Sequence, residues 1–196
     1  MRSLPSWVRL VFSVGVFFLI GTLFPQITHA ASSTIMIGEV QWSGSSLSTA
    51  DEWIELWNTS GETQSLSGFR LQGASSEPIV FTNAQIIPPN GTFLISNYSS
   101  TDTKTTLTIA PQVITTAISL SNSSLHLELF NPAQERVDEA GTGGAPPAGS
   151  TSPVHASMIR DYPSIDTWVT AESSLNLRDT SMDRGTPGFC NSCPPP

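Results

Sequence analysis

The sequence predicts an all-β domain, a sandwich or a barrel. Three observations carry that reading. No stretch after residue 31 shows helical periodicity. Short runs rich in β-branched and aromatic residues recur along the chain. Clusters of Gly, Pro, Asn and Ser separate them, which is the punctuation of short strands joined by turns.

The chain has 196 residues, enough for one ordinary domain and a targeting segment. Arg2 and Arg9 are the only charges before Glu39, and Leu10 to Phe24 is an almost unbroken apolar run. Pro25 breaks it, and Thr28 and Ala30 place small residues before a cut. That order fits a secretory signal peptide over residues 1–30, cleaved after Ala30. The run is roughly 15 residues, shorter than the ~20 that span a bilayer comfortably. An uncleaved anchor is the alternative, and the only expected contact with a membrane. No cysteine near the cut suggests a lipid-modified N-terminus. The expected location is secreted or extracellular, with membrane anchoring as the variant.

Strands are expected at Ile35–Trp42, Trp53–Asn58, Phe69–Gln72, Ile79–Phe81, Thr92–Asn97, Ser124–Phe130 and Arg136–Glu139. A last one covers Ser157–Arg160 and Thr167–Thr170. Asn58-Thr-Ser-Gly61 and Pro88-Pro-Asn-Gly91 punctuate two of them, and Asn131-Pro-Ala-Gln134 reads as a hairpin loop. The period of two puts Ile54 and Leu56 on one face of their strand and Trp53, Glu55 and Trp57 on the other. Leu125, Leu127 and Leu129 should face inward, leaving His126 solvated. Residues 99–118 read as a long surface connection, with short edge strands at Thr106–Ile109 and Val113–Ile118. Residues 141–153 read as a flexible loop. One domain, residues 31–189, therefore precedes a Cys/Pro-rich tail, residues 190–196.

The residues now resemble a known family. The matching pieces are Ile37-Gly-Glu-Val-Gln-Trp42, Ala50-Asp-Glu-Trp-Ile-Glu-Leu56, Leu66-Ser-Gly-Phe-Arg-Leu71, Ile87-Pro-Pro-Asn-Gly-Thr-Phe-Leu-Ile95 and Leu120-Ser-Asn-Ser-Ser-Leu-His-Leu127. Val137-Asp138, Ser157-Met-Ile-Arg160, Trp168-Val-Thr-Ala171 and Thr186-Pro-Gly188 follow in order. Together they resemble the lamin tail domain in its bacterial secreted form. Phe69 stands where the family usually has Trp. The resemblance implies an immunoglobulin-like β-sandwich and no particular reaction. Bacterial members occur in exported proteins, often beside surface or hydrolase domains. A fold alone does not supply a function.

Without residues 1–30 the chain keeps six Lys and Arg against 16 Asp and Glu, a formal charge of −10. That surface repels a phosphate backbone, and no basic patch offsets it, so nucleic acid is not an expected partner. Cys190 and Cys193 form the only cysteine pair. Pro194-Pro-Pro196 forbids the helix a thioredoxin-like site needs, and a zinc site needs more ligands. A local disulfide is expected, and an intermolecular link is the alternative.

Catalytic sets are hard to find. His126, in a strand, and His155, in a Pro/Gly/Ser-rich loop, are the only histidines after residue 30, and no Gly-x-Ser-x-Gly elbow surrounds a serine. Glu52 and Glu55 fall on opposite faces of one strand, so they cannot flank a glycosidic bond together. Glu39, Asp51, Glu52 and Asp138 would suit Ca²⁺ if they met at one end of the sandwich. No other cofactor is expected. Packing under loops or against the core is one reading of the tryptophans; the other makes Trp57, with Glu55 and Trp42, an exposed contact surface, because Ile54 and Leu56 already claim the buried face. The sequons at Asn58, Asn90, Asn97 and Asn122 matter only in a host that glycosylates asparagine. The resulting expectation is a non-enzymatic exported module that binds a protein or a cell-envelope component. A membrane-anchored display domain and an accessory module of a secreted hydrolase or nuclease system are the alternatives.

Overall fold

The computed structural model describes residues 33–161, 163–164, 166–178, 182–190 and 193. The expected signal peptide and residues 194–196 lie outside the described residues. Among the described residues no helix is long and apolar enough to cross a membrane.

Fourteen strands follow in order among the described residues. They are β1 (Ile35–Gln41), β2 (Trp53–Asn58), β3 (Gln64–Ser65), β4 (Arg70–Gln72), β5 (Ile79–Val80), β6 (Ile86–Ile87) and β7 (Thr92–Ser96). Then come β8 (Val113–Ile114), β9 (Leu127–Phe130), β10 (Arg136–Ala140), β11 (His155–Ala156), β12 (Met158–Arg160), β13 (Trp168–Thr170) and β14 (Asp183–Arg184). One sheet runs β13-β12-β1-β2-β7-β8 and the other β10-β9-β4-β5. Their inner faces share one apolar core: Ile37, Ile54, Leu56 and Ile95 from the first sheet meet Leu71, Leu127 and Leu129 from the second. This is the sandwich that the resemblance implies, with the facing expected for Ile54, Leu56 and the leucines of β9.

Local chemistry ends the strands where expected. β2 stops at Asn58, whose buried amide donates to the carbonyls of Glu62, Ile87 and Pro88. Asn131 accepts the backbone N–H of Glu135 and closes the β9–β10 hairpin, with Gln134 at φ 67° in the left-handed region.

The β1–β2 ladder shifts register between Ile37 and Glu39, at Gly38. The ring of Trp57 lies against that glycine, and a Cβ there would meet it at 2.0 Å. Only glycine admits so close an approach.

The first sheet is buried on both faces at its centre, since every residue of β1 and β2 is buried. Its outer face is covered twice. Leu107 and Leu177 pack on Trp53 and Leu94. Cys190 and Cys193 pack on Met36, Trp57, Ile159 and Ala171.

Two expectations need correction here. Residues 99–118 are not merely a surface connection, because Thr105, Thr106 and Leu107 are buried. Asp51 holds the backbone N–H of Thr106 at 2.8 Å and draws that stretch inward. His155 was expected in a loop; it begins β11, paired in parallel with β14, with Nδ1 3.1 Å from the Ser43 carbonyl. Two-residue pairings such as β3–β6 and β11–β14 are too short to leave a periodic trace in sequence.

Candidate functional site

The expected contact surface of Trp57, Glu55 and Trp42 is not exposed. Trp57 and Glu55 are 0 % exposed and Trp42 is 7 %. Trp57 donates from Nε1 to Glu55 at 2.9 Å, beneath the C-terminal segment. Trp42 donates from Nε1 to the Ala148 carbonyl at 2.8 Å. The period of two assigned the correct side of the strand; it could not say that chain from more than a hundred residues away covers that side. The sequence did hold one hint. Trp-Ile-Glu-Leu-Trp carries large apolar residues at both parities, as strands buried on two faces do.

Nor do Glu39, Asp51, Glu52 and Asp138 converge on one ion. Each is buried or nearly so, and each is engaged by the protein's own donors. Glu39 receives Ser157 Oγ at 2.5 Å, the Thr186 N–H at 2.8 Å and Thr186 Oγ1 at 2.8 Å. Asp51 receives the Thr106 N–H, and Glu52 receives the Leu120 N–H at 3.0 Å. Asp138 receives the Ile37 N–H at 2.6 Å and Arg160 Nη2 at 2.7 Å. Among the described residues the acidic group with metal-ligand spacing is a different one: His126, Glu128 and Glu139 on the outer face of the second sheet. Arg136 already bridges its two carboxylates, at 3.1 and 2.7 Å.

Burial sets the charge of these acids. Desolvation pushes Glu39 up to about 7, against the hydrogen bonds from Ser157 and Thr186. Glu55 rises to about 8, from desolvation first and the neighbouring Glu39 second. Glu52 rises to about 7 by desolvation. Asp138 reaches about 6 by desolvation even with Arg160 beside it. A cleft of about 220 Å³ lies next to that pair, lined by Gly141, Thr142, Pro147, Arg160, Asp166 and Trp168. There the Arg160 guanidinium sits 4.3 Å from the centroid of the Trp168 ring, so cation and aromatic face are engaged with each other.

The two most exposed large apolar side chains lie elsewhere. Val80 on β5 and Ile114 on β8 are 57 % and 54 % exposed. These edge strands of the two sheets flank a groove of about 350 Å³, lined by Ser75, Pro78, Ile79, Val113, Thr115 and Ala117. Sequence reasoning missed this groove, because neither edge carries a motif. Cys190 and Cys193 are joined in a disulfide, as expected for a local pair.

No curated protein matches the chain. A family model does: the one described as Lamin Tail Domain matches residues 28–144, which hold β1 to β10, both faces of the core and the Asp-Glu-Trp-Ile-Glu-Leu segment. The strands it spans build most of both sheets, and on that match the chain belongs to the lamin tail domain family, with its immunoglobulin-like sandwich.

Proposed function

We propose that the protein is a non-enzymatic, exported sandwich module that binds a protein or a cell-envelope component at the cell surface. The contact would run along the open edge of the sandwich rather than over its tryptophans. One observation carries the reading: the buried acids are turned inward, and the two most exposed large apolar side chains stand on edge strands. Glu39, Asp51, Glu52, Glu55 and Asp138 all hold backbone N–H groups of their own chain. Val80 and Ile114 stand exposed on two edge strands beside a groove. An unpaired edge with exposed aliphatic side chains is where an extended segment of another chain can add. The family is one of non-catalytic immunoglobulin-like domains, which agrees with a binding role. The signal-like N-terminus supports export.

Co-sedimentation of residues 31–196 with envelope from the producing cells, with and without calcium, tests this. Saturable pelleting that Ile114→Lys weakens would support edge binding. Pelleting that ignores Ile114→Lys and Val80→Lys would place the contact elsewhere. No pelleting in either condition would move weight to a second reading, a passive display domain. That reading is favoured by the apolar run Leu10–Phe24, and an intact mass that retains residues 1–30 in the membrane fraction would support it.

A further inference from the structure

The C-terminal segment does more than end the chain. It lies across the outer face of β1 and β2, and its backbone is held by two acidic side chains. The Thr186 N–H donates to Glu39 Oε1, and the Gly188 N–H donates to Glu55 Oε2. The fit is close: a Cβ on Gly185 would come within 3.0 Å of Glu39 Oε1 and 3.2 Å of the Trp53 ring. Beyond Gly188, Cys190 and Cys193 seal Met36 and Trp57.

We propose that this segment, from Arg184 to Cys190 together with Cys193, is a pH-released clasp. It is closed while Glu39 and Glu55 are uncharged, and it opens as they ionise, uncovering Trp57 and Met36. The reason is geometric. Glu39 and Glu55 are register partners on adjacent strands, both with no exposed surface. Two ionised carboxylates confined there repel each other and lack water. Lifting the clasp removes the Thr186 and Gly188 cover from both and lets water reach them.

The charged groups on the packed elements are spent on other contacts. On β14 and the clasp, Asp183 accepts from the backbone and hydroxyl of Ser46. Arg184 donates to Ser174 Oγ and the Asp183 carbonyl. On β12, Arg160 donates to the Ile37 carbonyl and to Asp138. Before β2, Asp51 and Glu52 hold the Thr106 and Leu120 N–H groups. On β7, the neighbours are the uncharged Thr92 and Leu94. The charge Glu55 meets is that of Glu39.

Amide hydrogen exchange on the full chain, read as protection factors so that intrinsic pH effects cancel, tests the clasp. Between about pH 5 and about pH 7.5, protection at Thr186 and Gly188 should fall about tenfold or more, because an open form that has lost a proton gains about tenfold per pH unit. Protection at Leu56 and Ile95, inside the sheet, should stay well above that at Gly188 at every pH, because these amides exchange only when the sandwich itself unfolds. Glu55→Gln and Glu39→Gln should each flatten the dependence. Unchanged protection at Gly188, or equal protection at Gly188 and Leu56, would overturn the proposal. Should a variant fail to fold, the contrast between these two amides in the unaltered chain still decides.

Discussion

Glu39 and Glu55 stand opposite each other across the β1–β2 ladder, and neither exposes any surface. Sheets place like charges opposite one another at a cost, and burial raises that cost. The protein meets it with donors on both sides: Ser157 and Thr186 for Glu39, Trp57 and Gly188 for Glu55.

Stability should therefore fall as pH rises across the neutral range. Burial lifts Glu39 to about 7 and Glu55 to about 8, from an ordinary 4.5. In that window the folded chain holds protons that the unfolded chain has lost. Unfolding releases them, so stability is greatest near the ordinary carboxylate value and declines as pH climbs to about 8. Urea melts at about pH 5.5 and about pH 8 should show a lower midpoint at the higher pH, and Glu55→Gln should narrow the gap. Equal midpoints would refute the assignment.

Gly38→Ala should be costly although it adds one methyl. The new Cβ would meet the Trp57 ring at 2.0 Å, and neither the strand nor the covered indole has room to yield. Overpacking of this sort costs ~1–3 kcal/mol or more. The loss should show as a lower denaturation midpoint with altered near-ultraviolet dichroism from Trp57. A neutral Gly38→Ala would mean the ring does not lie on the strand. The same packing predicts that Trp57→Ser destabilises the fold rather than removing a ligand contact.

Leu56→Ala and Leu127→Ala test the two inner faces separately. Both side chains are fully buried in one core, one from each sheet. Each truncation should cost ~2–5 kcal/mol, from lost transfer energy and the cavity left behind. The slope of ΔG against denaturant should be unchanged. A near-neutral result at both would contradict the sandwich core.

How far the sequence could be read depended on the range of the interactions. Trp53–Asn58 was legible to the residue, because a β-branched and aromatic run ends at Asn58-Thr-Ser-Gly61. The inward leucines of β9 were legible because alternation is a local property. Trp57 was misjudged because parity names a face but not what covers it, and its cover comes from Cys190 and Cys193. The partners of the acids were hidden for the same reason. Glu39, Asp51, Glu52 and Asp138 each bind a backbone group 55 to 147 residues distant in sequence, and no local pattern announces such a bond.

Arg160 and Asp138 supply the last test, of a buried ion pair. Arg160 is 3 % exposed, donates to the Ile37 carbonyl, the Glu139 carbonyl and Asp138, and lies over Trp168. Asp138 also receives the Ile37 N–H, so one pair ties β1, β10 and β12 together. Arg160→Met keeps an unbranched apolar stem but leaves Asp138 without its cation, and breaking a buried pair from one side costs ~3–5 kcal/mol. Asp138→Asn should be milder, because its side-chain oxygen can still accept from Ile37 and Arg160. The double variant should recover part of the loss seen with Arg160→Met alone. Arg160→Lys should recover little, since one ammonium cannot serve three acceptors and stack on an indole. Urea denaturation of the four proteins checks the order. An Arg160→Met variant no less stable than Asp138→Asn would show that the pair does not hold these strands.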